Sequence, residues 1–148
     1  LTTNADRPLV FVVVDMQSEY PAARDPALIA AIQKRAQAVV DAGGLVLHLL
    51  YCSSGASVVD LPEEAVELYK EHDDGGTVLA AYFKGRELWP SLVRLAGVNL
   101  SACVWATATS LARYFRDEEI RSPVEIVADL CRDNTSLPVT VLASWPRT

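Results

Sequence analysis

Residues Leu9–Val14 form an uninterrupted apolar run, Leu-Val-Phe-Val-Val-Val, that stops abruptly at Asp15. Side chains of a strand point alternately to its two faces, so a run with no polar partner must be covered on both. This is the signature of a central strand in a parallel sheet with helices on either side. The rest of the chain must then supply parallel neighbours for it and helices long enough to cross back over the sheet.

The pattern downstream meets that demand. Residues 26–42 place Leu28, Ile29, Ile32, Ala36, Val39 and Val40 at helical spacing and end at Gly43-Gly44, a C-terminal stop. Leu45–Tyr51 reads as a second strand. Residues 61–71 read as a helix, with Pro62, Glu63 and Glu64 in its first turn, where the helix dipole favours negative charge. The turn Asp73-Asp74-Gly75-Gly76 leads into an apolar run at 77–83, read as a third strand, and residues 92–98, 124–128 and 139–142 supply three more. A helix is expected over 104–115. The resulting expectation is a three-layer α/β/α sandwich with a six-stranded, mostly parallel Rossmann-like sheet, formed by residues 1–148 as one domain.

Charge and cysteine usage narrow the function classes. A formal charge of -6 with no basic cluster argues against nucleic acid and anionic membrane surfaces, leaving small molecules or proteins as partners. Cys52, Cys103 and Cys131 are odd in number, widely spaced and without a C-x-x-C pair, so neither a disulfide framework nor a zinc site is indicated and a reducing, cytoplasmic setting is expected. No apolar run approaches the roughly 20 residues of a membrane span. A mean hydropathy of +0.18, with few helices to cover six strands, leads us to expect a homo-oligomer.

In an open parallel sheet, ligands bind beyond the carboxyl ends of the strands. Asp15 ends the first strand, Lys84 follows the third expected one, and Cys103 follows the fourth, so a carboxylate, an amine and a thiol share that edge. Cys103 also opens the helix-like run, where unpaired backbone N–H groups and the helix dipole favour a thiolate. Such a set suits nucleophilic attack on a carbonyl carbon.

At this point the residues carry a resemblance. Val14-Asp15-Met16-Gln17 resembles the first-strand D-x-Q element of the isochorismatase-like cysteine hydrolases, and Gly97-Val98-Asn99 through Cys103-Val104 and Thr107 resembles their G-V-x-x-x-x-C-V-x-x-T signature. Asp129 likewise falls where this family often has aspartate. The resemblance implies a catalytic set of Asp15, Lys84 and Cys103, with a shortened crossover between the last two. It also implies a cis peptide at Val98-Asn99, with the Asn99 and Cys103 backbone N–H groups facing a developing oxyanion. Metal-dependent nicotinamidases of the superfamily bind their ion through an aspartate and histidines between strands two and three. No D-x-H stands there, so neither a metal nor another cofactor is expected.

Gln17, Tyr82 and Trp105 are candidates for a substrate pocket, although aromatics of a domain this size more often belong to the core. His48, inside an apolar strand, reads as a core histidine, and His72, between two acidic residues, as a loop residue. The implied activity is hydrolysis of a C–N bond in a small amide, ureide or imide through a cysteine thioester. Two alternatives stand beside it: an inactive binding or oligomerisation module on the same fold, and a cysteine-independent vinyl-ether hydrolase of the isochorismate type.

Overall fold

The computed structural model describes residues 7–133. Five parallel strands form one sheet: β1 (Leu9–Val14), β2 (Leu45–Tyr51), β3 (Val66–Lys70), β4 (Leu92–Gly97) and β5 (Val124–Cys131), in the spatial order β3-β2-β1-β4-β5. Helix α1 (Pro26–Asp41) lies on one face, and α2 (Gly76–Gly85) and α3 (Trp105–Asp117) lie on the other. The expected three layers are therefore present, around five described strands rather than six. The sixth expected strand, residues 139–142, falls outside the described residues.

The two faces of β1 show why its sequence has no polar position. Val10, Val12 and Val14 join Leu79 and Phe83 of α2 and Leu111 and Phe115 of α3 in one core. Phe11 and Val13 join Leu28, Ile32, Ala36 and Val39 of α1 in the other. Fully burying one such Val, Leu or Phe side chain contributes about 1.5–3 kcal/mol, so the central strand anchors both layers. Helix α1 begins where the Asp25 carboxylate accepts from Ala27 N–H at 3.0 Å, with Pro26 at its first position.

Two elements differ from the sequence reading. Residues 66–70, expected within a helix, form β3, and residues 77–83, expected as a strand, lie in α2. Strand β3 sits at the sheet edge, and the fully buried Lys70 closes it. In α2 the buried side chains are Leu79, Ala80 and Phe83, the stripe of a helix laid on a sheet. No described helix is long and apolar enough to cross a membrane.

The strand order reverses between β1 and β4, because β2 and β3 extend the sheet one way and β4 and β5 the other. A crevice opens beyond the strand ends at such a reversal. Gly97 allows the two strands to close there. Its φ is +119°, and a Cβ at this position would land on the Val14 carbonyl oxygen.

Candidate active site

Asp15, Lys70 and Cys103 meet at this crevice. Asp15 follows β1 with φ +52°, a left-handed conformation that Asp tolerates better than most residues. Its N–H donates to Leu49 O on β2 at 2.9 Å, fixing the turn that buries its carboxylate. Lys70 Nζ lies 3.0 Å from Asp15 Oδ2, and both side chains are only 1% exposed. The ammonium also donates to His72 O at 2.9 Å and Asp73 O at 3.3 Å, and stands 4.3 Å from the Tyr51 ring centroid. A buried cation held by a carboxylate, two carbonyls and an aromatic face has its desolvation compensated on every side.

Cys103 lies in a π-helical turn, Leu100–Val104, between β4 and α3. Such turns recur at functional sites because they push side chains out of the regular helical register. The turn is held from outside: Leu100 N–H donates to Arg132 O at 3.0 Å and Ser101 N–H to Asp133 Oδ2 at 2.7 Å, both just beyond β5. The Val98–Asn99 peptide preceding it is cis. Cys103 Sγ donates to Asp73 Oδ1 at 3.7 Å.

Burial pushes the Asp15 carboxyl above its ordinary pKa, with the Cys103 thiol and the Lys70 ammonium offsetting part of the rise. Burial, together with the neighbouring Asp15, pushes the Cys103 thiol up to about 12. The sequence expectation of a resting thiolate is thereby overturned, because desolvation and a flanking carboxylate outweigh the favourable end of a helix. The resting residue is a thiol beside a potential base. The two groups are close enough to shift one another, and Asp15 Oδ2 is held by the Lys70 ammonium.

The remaining residues fall into two sets. Lys84 does not reach the site. It is an exposed residue near the end of α2, eight residues past the first one, which places it about 12 Å along the helix axis towards the opposite sheet edge. There it lines a surface hollow with Glu87 and Trp89, ahead of β4. Tyr82 shares that end of the helix, stacked under Arg86 at 4.5 Å and edge-on to Phe83 at 6.0 Å. Gln17 is at the site but spent on structure: its amide donates to Tyr51 O and Gly55 O, and its carbonyl oxygen accepts from Tyr51 N–H. It clamps the loop after β2 and offers no free group to a substrate. Trp105 opens α3, half-buried against the core two residues after Cys103.

Lys70 and Asp73 were missed from the sequence, as was the pairing of the Tyr20 and Ser54 hydroxyls at 2.7 Å. Burial raises the Tyr20 pKa, Ser54 partly offsets that, and the negative charge of Asp15 adds to the rise. Thr107 has a definite task. Fully buried on α3, its hydroxyl accepts from Gly75 N–H at 2.9 Å and fastens the loop that carries Lys70 and Asp73 to the helix that follows Cys103.

No protein-family model matches the sequence, and no curated protein matches it. Solved structures do match in shape. The pyrazinamidase of Pyrococcus horikoshii in complex with zinc superposes with a TM-score of 0.67 at 21% identity, over 86% of this chain and 88% of that one. An isochorismatase family protein from Desulfovibrio vulgaris gives 0.68 at 16% identity, over 93% and 87%. The fold is that of the isochorismatase family. Nicotinamidase from Bacillus subtilis shares this isochorismatase fold as well, with a TM-score of 0.68 at 13% identity over 93% of each chain.

Among the described residues, no group of three or more His, Cys, Asp or Glu could hold a metal ion. His48 Nε2 stands 3.4 Å from Ser57 Oγ, and burial lowers its pKa.

Proposed function

We propose that the chain is a thiol hydrolase of the isochorismatase fold, cleaving a C–N bond in a small amide, ureide or imide. The observation that carries this reading is the buried 3.0 Å ion pair between Asp15 and Lys70 beside the Cys103 thiol. Burying two charges is costly, and its use here is to keep one carboxylate ionised and fixed beside a thiol that cannot ionise alone.

Asp15 takes the Cys103 proton as Sγ attacks the carbonyl carbon, which avoids any need for a resting thiolate. The new oxyanion is received by the backbone N–H groups of Asn99 and Cys103, where each donor supplies about 2.7–4 kcal/mol. Asp15 then passes its proton to the leaving nitrogen, the C–N bond breaks, and an acyl thioester remains on Cys103. Water attacks that thioester, giving a proton to Asp15, and the C–S bond breaks. The acid leaves and the proton returns to sulfur. Lys70 contacts no reacting atom in this scheme and acts as a positioning residue for Asp15.

A screen of small amides, ureides and cyclic imides for ammonia or amine release tests the proposal. Release by the wild type that is abolished in both Cys103→Ala and Asp15→Asn is expected. Full activity of Cys103→Ala would overturn the thiol mechanism in favour of acid catalysis by Asp15 alone.

A further inference from the structure

The nucleophile is flanked by two carboxylates and only one of them is neutralised. Lys70 is committed to Asp15 and to the carbonyls of His72 and Asp73, so its charge answers the Asp15 carboxylate. Asp73 is exposed, and its Oδ1 lies 3.7 Å from Cys103 Sγ. Among the described residues its carboxylate makes no ion pair. Asp74, its neighbour, is spent on the turn into α2, accepting from Gly76 N–H at 2.7 Å. With Asp15, Asp73 and Lys70 charged and the thiol neutral, the site carries one net negative charge, placed on its solvent side.

We propose that Asp73 is a specificity-determining residue that selects substrates bearing a cationic amine or amidinium group beside the scissile C–N bond and rejects those bearing a carboxylate there. This rests on the reading of Cys103 as the nucleophile. A group attached one or two bonds from the carbonyl carbon under attack comes within several ångströms of the Asp73 carboxylate. At that range, in a partly hydrated mouth, one unit charge changes affinity by roughly tenfold in each direction. The negative charge of Asp73 also raises the pKa of both Asp15 and Cys103, so its field reaches the reacting groups. A substrate cation offsets that field and an anionic substrate adds to it.

Charge-matched methanethiosulfonate reagents read this selection without any turnover. Their ethylammonium, ethylsulfonate and neutral methyl forms would be compared on Cys103 by peptide mass, in a Cys52→Ser background that removes the exposed competing thiol. With rates normalised to the neutral reagent, the cationic form is expected to react faster than the anionic one. Asp73→Asn is expected to shrink their ratio by roughly tenfold or more. Because Asp73 is exposed, this substitution leaves the fold intact. Equal normalised rates in the parent, or a ratio unchanged by Asp73→Asn, would overturn the proposal. In parallel, amino-acid amides and carboxylate-bearing amides would be compared as substrates. A charge preference at Cys103 with no hydrolysis of any amide would end the hydrolase reading while leaving charge selection standing.

Discussion

Replacing Lys70 by Met removes a buried cation and leaves Asp15 as a buried carboxylate with no counter-charge. Breaking one side of such a pair costs about 3–5 kcal/mol. The structure also sets a ceiling, because Asp15 can escape by taking a proton. At pH 7 that costs an acid of ordinary pKa 3.8 about 4 kcal/mol, at about 1.4 kcal/mol per unit. The sign of the pH dependence follows. In Lys70→Met the folded-state pKa of Asp15 rises further, so the native state holds a proton that the unfolded chain has released. That stability is fully present below the unfolded pKa and is lost as pH rises through the folded one. Because burial already raises this pKa in the wild type, the deficit relative to it from this source should be at most about 4 kcal/mol at pH 7 and smaller at pH 5. Urea titrations at the two pH values measure it. Lys84→Met, at the opposite sheet edge, should stay within about 0.5 kcal/mol at both. Equal losses from the two lysines, or a Lys70→Met deficit that does not change with pH, would refute the assignment of the buried pair.

Gly97→Ala should cost about 3 kcal/mol or more by urea titration, because it places a Cβ on the Val14 carbonyl oxygen at φ +119°, whereas Gly85→Ala, in open space, should be near neutral. Iodoacetamide at neutral pH should label the exposed Cys52 well before Cys103, whose thiol is buried and pushed up to about 12; peptide mapping with Cys103 labelled first would contradict the resting-thiol assignment. Thr107→Val orphans the buried Gly75 N–H and should destabilise by about 1–3 kcal/mol, measured by thermal unfolding.

The central strand β1 was legible because a continuous apolar, β-branched run has few other uses, and β2, β4 and β5 also lie where short apolar runs occur. The exchange of β3 and α2 has a physical source. Residues 66–70 form an edge strand whose alternation spans only five residues, and Pro62, Glu63 and Glu64 just ahead supply strong helix-start chemistry. The apolar run at 77–83 is ambiguous between a buried strand and a short helix, since periodicity cannot separate them at that length. This one exchange put the expected lysine at Lys84, whereas the lysine that the structure sets beside Asp15 is Lys70. With Lys70 at the end of β3, the crossover to Cys103 regains the full helix it had seemed to lack. Asp15 and Cys103 were legible from strand ends and spacing. Asp73 was not, because an aspartate in an Asp-Asp-Gly-Gly run reads first as part of a turn, and only tertiary contact brings it to the thiol.

A thiol hydrolase must pass through a covalent bond to one sulfur atom, Cys103 Sγ. Wild-type protein would be incubated with the amide panel, quenched in acid within the first turnovers, and digested for mass analysis of the peptide containing Cys103. An acyl increment on Cys103 is expected from at least one substrate, absent in Asp15→Asn. Product release with Cys103 unmodified at every quench time, or an acyl increment on Cys52 instead, would contradict it.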